Sequence, residues 1–289
     1  MTQTHLHEEQ FNLRKRHPWG RLHLVANELE SSIARRTLKK SLDVAYGESP
    51  GQRLDIFPAS QPDAPVFVFI HGGYFRALDK RQYNYIARPF VAAGCTVVLI
   101  NYDLAPNVPV KEIVEQNLRA FRWIYENIER WHGNPRHMVL CGHSVGAFLV
   151  AKILEAAQDP EIGWDTELQQ AIYGAVLLSG LYDLTKMRQS YLNESLHLSE
   201  EDVQTLSPIF GRIHDFPHAI VAVGEHETVE FIQQSRDYAH KLEEADSSQE
   251  FLLLKNKNHY SVSRMLSRRN NPLIEKILRL LDPNLTKKT

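Results

Sequence analysis

The rhythm of apolar positions changes several times along the chain, and each change marks an element. In the first 40 residues Leu24, Val25, Leu29, Ile33 and Leu38 recur every three to five positions on a polar background. That spacing predicts one or two amphipathic helices, packed outside the main body or roofing its site. From Ser41 the pattern alternates, so 42–46 and 53–57 read as antiparallel edge strands of a hairpin turning through Gly47–Gly51. Runs 66–70 and 95–102 are continuously apolar, as expected of strands covered on both faces. Helical stretches are expected over about 82–93 and 113–131, and further short apolar runs stand at 138–141, 175–178, 219–223 and 251–254. Eight strands alternating with helices predict an α/β fold, a mostly parallel eight-stranded sheet with helices on both faces. Residues 1–289 read as one domain, with 1–40 as an N-terminal helical segment. The stretch 181–217 breaks the rhythm, holds short helical pieces such as 200–206, and is expected to be a small cap over the pocket.

Composition narrows the function classes. With 289 residues and 43% of them apolar, the chain can bury a substantial core. Its 33 basic and 35 acidic residues nearly cancel, which removes the electrostatic footprint of a nucleic-acid or acidic-membrane binder and points to a small-molecule partner. Neither a signal-peptide layout nor an apolar run of membrane-spanning length is seen, so a cytoplasmic location is expected. The sequence does not fix the oligomeric state, and a homodimer is left open. Cys95 and Cys141 each stand in an apolar strand-like run and read as small core residues, not as a disulfide or zinc pair. His5 and His7 suit a polar terminus better than a metal site. No cluster has metal-ligand spacing, and neither metal nor cofactor is expected.

The candidate chemistry begins at Gly142-His143-Ser144-Val145-Gly146. An apolar strand precedes it and an apolar helical run follows. A strand turning directly into a helix needs a very tight bend, which glycines on both sides of the serine permit. The bend exposes Ser144 at the carboxyl edge of the sheet, and the Val145 amide, at the positive end of the helix, faces a developing oxyanion. A serine nucleophile needs a base. Of 14 histidines, His259 lies just after the last strand, on the same edge. His71 and His143 each neighbour a glycine turn and are expected to brace it, while His132, His137, His214 and His218 sit near element ends as structural residues. The acid that orients His259 is expected at the end of the penultimate strand: Glu227 first, Glu225 as runner-up, Asp183 as a third option. The order Ser, acid, His on successive strand ends is that of the α/β-hydrolases. His71-Gly72-Gly73-Tyr74 follows a central strand, so the Gly72 and Gly73 amides can join Val145 in an oxyanion hole.

These residues, taken with several others, resemble the α/β-hydrolase arylformamidases, or kynurenine formamidases, neighbours of the hormone-sensitive-lipase-like esterases. The likeness runs through Glu9-Gln10-Phe11-Asn12 to Arg14, Tyr46-Gly47, Leu54-Asp55-Ile56-Phe57, His71-Gly72-Gly73-Tyr74-Phe75 and Asn101-Tyr102-Asp103-Leu104-Ala105-Pro106. It continues through the serine motif, Ser179 to Leu184, Ser207-Pro208, and Gly224-Glu225-His226-Glu227 leading to Gln234-Ser235. The resemblance implies Ser144, Glu227 and His259 as the triad. Two departures stand out: the family usually has Asp at Glu227 and Trp at Phe75. The reaction implied is hydrolysis of an N-formyl aryl amine, N-formylkynurenine above all, with Tyr74, Phe75 and Phe148 crowding the acyl side and Tyr182 and Tyr191 stacking on the aryl ring. A short-chain carboxylesterase with the same triad is the alternative. A ligand-binding hydrolase fold without activity is a third reading, disfavoured because both Ser144 and His259 are present.

Overall fold

The computed structural model describes residues 7–213, 216–282 and 284–285. His5 and His214 lie outside them. Eight strands form one sheet: β1 (Ser41–Ala45), β2 (Arg53–Phe57), β3 (Ala64–Ile70), β4 (Thr96–Ile100), β5 (Gly133–His143), β6 (Ile172–Leu178), β7 (His218–Gly224) and β8 (Gln249–Leu254). Their order is β1-β2-β4-β3-β5-β6-β7-β8. β2 pairs antiparallel with β1 and with β4, and the other pairings are parallel. Only β1 of the hairpin is therefore an edge. β2 is an interior strand, which explains why four of its five residues are buried.

Side chains on successive residues of β3 point to opposite faces and so feed two cores. Val66, Val68 and Ile70 join the layer built from α5 (Val110–Asn127), α6 (Val145–Ala156) and α11 (Val229–Glu244). Phe67 and Phe69 join the layer of α4 (Ala87–Ala93) and α13 (Pro272–Leu281), where Phe67 stacks on Phe90 at 3.9 Å between centroids. The helix expected over 82–93 begins as a 3-10 stretch, Lys80–Ile86, started by an Asp79–Gln82 capping box. The segment 181–217 carries α8 (Thr185–Arg188), α9 (Asn193–Leu196) and α10 (Glu200–Leu206), and its Leu184, Met187, Leu192 and Val203 sink into the first core layer. Another short helix, α7 (Thr166–Gln170), precedes β6.

The N-terminal segment differs from its predicted form. It folds as α1 (Glu8–Phe11), α2 (Leu13–Arg16) and α3 (Gly20–Thr37), and α3 turns its apolar row outward: Leu22, Val25, Leu29 and Ile33 are exposed. Its inner face is held by polar contacts instead. Ser31 Oγ accepts the Tyr85 amide at 3.1 Å, and Asn27 Oδ1 accepts Arg264 Nη1 at 2.7 Å.

A buried ion pair ties this side to the sheet. The Lys80 ammonium, 2% exposed, lies 3.0 Å from Asp55 and 2.6 Å from the half-exposed Asp43. The Lys80 amide and the His71 ring share Asn101 Oδ1, at 3.2 and 3.0 Å, so the same lysine anchors the loop that follows β3. Removing one partner of a buried pair leaves a charge without compensation. Asp55→Ala is expected to cost about 3 kcal/mol of stability, read as a lower urea midpoint at unchanged slope.

Candidate active site

Parallel register brings the candidate residues to one edge. Ile70 pairs with Gly142, and Gly142 with Leu177, so the segments that leave β3, β5 and β6 depart side by side. Ser144 follows β5 with φ 59° and ψ −126°, a backbone state that strains a residue with a side chain. Backbone approach makes the flanking glycines necessary. A Cβ on Gly142 would lie 2.1 Å from the Gly146 carbonyl oxygen, and one on Gly146 would lie 2.1 Å from that of Ile70. The loop from β3 turns at Gly73, φ 117°, and puts Gly72 against the serine: its missing Cβ would sit 3.5 Å from Ser144 Oγ. Among the described residues the amides of Gly72, Gly73 and Val145 donate to no protein acceptor.

His259 opens the short helix α12 (His259–Arg264), whose first amides are capped by Asn258 Oδ1. Its Nδ1 lies 2.6 Å from Glu227 Oε2. A carboxylate has only lone pairs to offer, so the proton sits on Nδ1 and Nε2 is left as a bare base. The other carboxylate oxygen accepts Ser179 Oγ at 2.5 Å and the Gly224 amide at 2.9 Å. Glu227 is thus buried with both oxygens occupied. Of the three acids weighed from sequence it is the one that reaches His259. Glu225 is partly exposed and accepts the Asn256 amide, and Asp183 accepts the amide of Thr185 at the start of α8.

His143 braces the base. Its Nε2 lies 3.0 Å from the His259 carbonyl, which makes Nε2–H the donor, and Nδ1 is buried without a partner among the described residues. Burial, followed by the nearby His259, pushes the His143 pKa well below its ordinary value, so this ring stays neutral beside the base. His71 braces its glycine loop, stacked on Tyr102 at 4.4 Å. His132 and His218 bond Ala59 O and Ser248 Oγ, and the His137 ring lies 4.3 Å from that of Tyr173.

Ser144, His143 and His259 share the wall of a cavity of about 360 Å³, a volume in the range that holds a small organic ligand. Among the described residues no hydrogen bond joins the Ser144 hydroxyl to His259; such bonds are often loose before substrate binds. Tyr74, Tyr83, Tyr191 and Tyr260 supply the aromatic wall, and Phe11 to Arg14, Leu24 and Asn27 of the N-terminal segment supply the roof. Three expected pocket residues are not on that wall. Phe75, at φ 60°, turns inward and meets Phe148 edge-on at 5.2 Å, both wholly buried. Tyr182 stacks on Tyr238 at 4.0 Å. Among the described residues of the segment 181–217, Tyr191 alone reaches the cavity.

A sequence profile of the α/β-hydrolase fold matches residues 67–263. Kynurenine formamidase of Danio rerio is 30% identical over 272 residues, covering 90% of this chain and 88% of that one. The enzyme of the same name from Salmo salar is 30% identical, with the same coverage. The chain belongs to the α/β-hydrolase family, among the kynurenine formamidases. A crystal structure from Silicibacter sp. superposes with a TM-score of 0.74 at 26% identity, over 87% of this chain and 91% of that one.

Reading a formamidase-type hydrolase from sequence missed several residues of this site. Ser179 and Gly224, which hold the acid, stand inside quoted motifs, at the ends of strands, where a polar residue beside the acid is a usable signal. Tyr83, Tyr260 and Asn27 carry none, because distant elements bring them together, whereas Leu24 belongs to the amphipathic segment expected to roof the site.

Losing the negative charge of Glu227 while keeping its shape removes the acceptor that fixes the His259 proton. Glu227→Gln is expected to lower kcat by roughly 10³- to 10⁴-fold, whereas Glu225→Gln changes it less than about threefold, as usual for a surface carboxylate away from the chemistry. Steady-state kinetics with a melting curve on each variant measure both, and the opposite ranking would reassign the acid.

Proposed function

We propose that this hydrolase cleaves the formamide of an N-formyl aryl amine, N-formyl-L-kynurenine being the substrate, to L-kynurenine and formate. One observation carries the reading: the Glu227–His259 hydrogen bond ends on the same aromatic-walled cavity as Ser144. The naming of the fish relatives supplies the leaving group.

In the proposed mechanism His259 Nε2 takes the Ser144 proton as Oγ attacks the formyl carbon. The oxyanion is held by the amides of Gly72, Gly73 and Val145, each contributing roughly 3 kcal/mol in the transition state. His259, now cationic and facing Glu227, gives its proton to the departing aniline nitrogen. Water, deprotonated by the same ring, then attacks the Ser144 formyl ester, and formate leaves with the serine restored. An anilide suits this machinery because its nitrogen lone pair is shared with the ring. The formyl group has only hydrogen beyond its carbon, so the acyl side needs little space.

The same triad can hydrolyse short esters, and esterase LipQ of Mycobacterium tuberculosis is 32% identical over 52% of this chain. The proposal extends to a cytoplasmic enzyme of tryptophan breakdown, which suits two unpaired buried cysteines, and among the described residues no helix is long and apolar enough to cross a membrane. It extends also to a homodimer, for which the outward row Leu22, Val25, Leu29, Ile33 of α3 offers a face at the spacing by which helices pack on copies of themselves.

Two measurements decide these points. The value of kcat/KM for N-formyl-L-kynurenine is expected to exceed that for p-nitrophenyl acetate by at least about tenfold, a difference of about 1.4 kcal/mol in transition-state binding; a clear preference for the ester would make the chain a carboxylesterase. Sedimentation velocity is expected to show a dimer that Leu29→Glu dissociates, and a monomer at every concentration would remove the assembly.

A further inference from the structure

The cavity wall carries charge of one sign. Arg14 and Arg76 line it, and among the described residues no Asp or Glu does. The two arginines are not equivalent. Arg76 is committed to the protein, donating to Ser195 Oγ at 2.9 Å and lying over the Tyr191 ring at 5.4 Å. Arg14 forms no ion pair and no side-chain hydrogen bond among the described residues, so its guanidinium has every donor to offer a ligand. It stands on α2, part of the roof, exposed to solvent at the edge of the cavity. Burial raises the Tyr260 hydroxyl pKa and Arg14 opposes that rise; at Tyr191 burial again dominates, opposed by Arg76, with Glu8 adding to the rise and Arg14 opposing it least. The Tyr83 hydroxyl, near Tyr260, and the Tyr260 hydroxyl itself bond to no protein group among the described residues. A guanidinium fork and unpartnered phenol donors at one cavity are complementary to a carboxylate.

We propose that Arg14 binds the carboxylate of the substrate's amino-acid end at the cavity mouth, making the enzyme selective for acidic formanilides, while the substrate's ammonium group goes unread. This rests on the formamidase reading above. The second half follows from the acids: among the described lining residues there is no carboxylate, and Glu8, the acid near Tyr191, already accepts Asn12 Nδ2 at 3.3 Å, so deleting the ammonium group leaves the main attraction in place.

The test compares three substrates that differ at one end: N-formyl-L-kynurenine, N-formylkynuramine, which lacks the carboxylate, and 4-(2-formamidophenyl)-4-oxobutanoate, which lacks the amine. Wild-type kcat/KM is expected to fall about 10- to 100-fold without the carboxylate and less than about threefold without the amine, below the worth of one charge-assisted contact. In Arg14→Gln the ratio between the first two substrates collapses toward one, mostly through KM; Arg14→Lys, a point charge without the fork, lies between. Equal loss on both substrates, or a wild type indifferent to the carboxylate, would overturn the assignment, as would a large loss on removing the amine alone. Turnover of plain formanilide checks the formamidase reading separately. If no formamide is cleaved, the assignment is scored on inhibition of p-nitrophenyl acetate hydrolysis: L-kynurenine inhibiting more strongly than kynuramine, with the difference abolished in Arg14→Gln, supports it, and equal inhibition overturns it.

Discussion

The site depends on one buried carboxylate. With its side chain wholly out of solvent, an ionised Glu227 would be costly unless every lone pair facing the protein met a donor. Three donors converge on it, and each leaves from a different strand end: Ser179 after β6, Gly224 closing β7, and His259 beyond β8. The requirement runs both ways. The carboxylate is tolerable only because those strand ends are in register, and His259 is held as a base only because the carboxylate fixes its Nδ1 proton. The neutral His143 ring, bonded to the His259 carbonyl, completes the arrangement without adding a second positive charge beside the imidazolium that forms during turnover.

The length of the acid is explained by the same geometry. An Asp, usual in the family, would have to reach the imidazole from a backbone one methylene closer. Here the turn Gly224–Glu227 folds back so that the carboxylate accepts the amide of Gly224, three residues earlier, while still spanning to His259. The extra methylene is used by that local bond. Ser179 then takes the remaining direction on the same oxygen, which makes it a positioning residue for the acid.

Elements whose environment is set by local chemistry were legible in the sequence; those set by distant packing were not. The turn at Ser144 could be read because two glycines, a strand and a helix are each demanded by backbone approach at one place. The alternation of Val66, Phe67, Val68, Phe69 and Ile70 between two core layers follows from the pleat, and an unbroken apolar run announces it. β2 was misplaced at an edge because alternation says that one face is polar, not which strand lies alongside, and its Asp55 is polar yet buried in an ion pair. The aromatic wall was misread for a related reason. Residue type marks Phe75, Phe148 and Tyr182 as ring contacts, but backbone direction decides whether a ring meets substrate or core, and a positive φ at Phe75 turns it inward.

The outward row on α3 shows where periodicity misleads. An amphipathic pattern identifies the buried face only when burial of apolar area is what holds a helix down. α3 is held by polar groups that match particular partners: Asn27 and Glu30 clasp Arg264, Ser31 takes an amide of the 3-10 stretch, and Arg35 bonds the Arg81 carbonyl and Asn84. Such a seam fixes register, because each donor has one acceptor, while a greasy seam would tolerate sliding. Register matters here because the same segment carries the cavity roof, and a shift of one helical step would move Phe11 to Arg14 away from the mouth that Tyr74, Tyr191 and Tyr260 form. The polar seam therefore links the first part of the chain to the chemistry of its last quarter, through Arg264, five residues beyond the base.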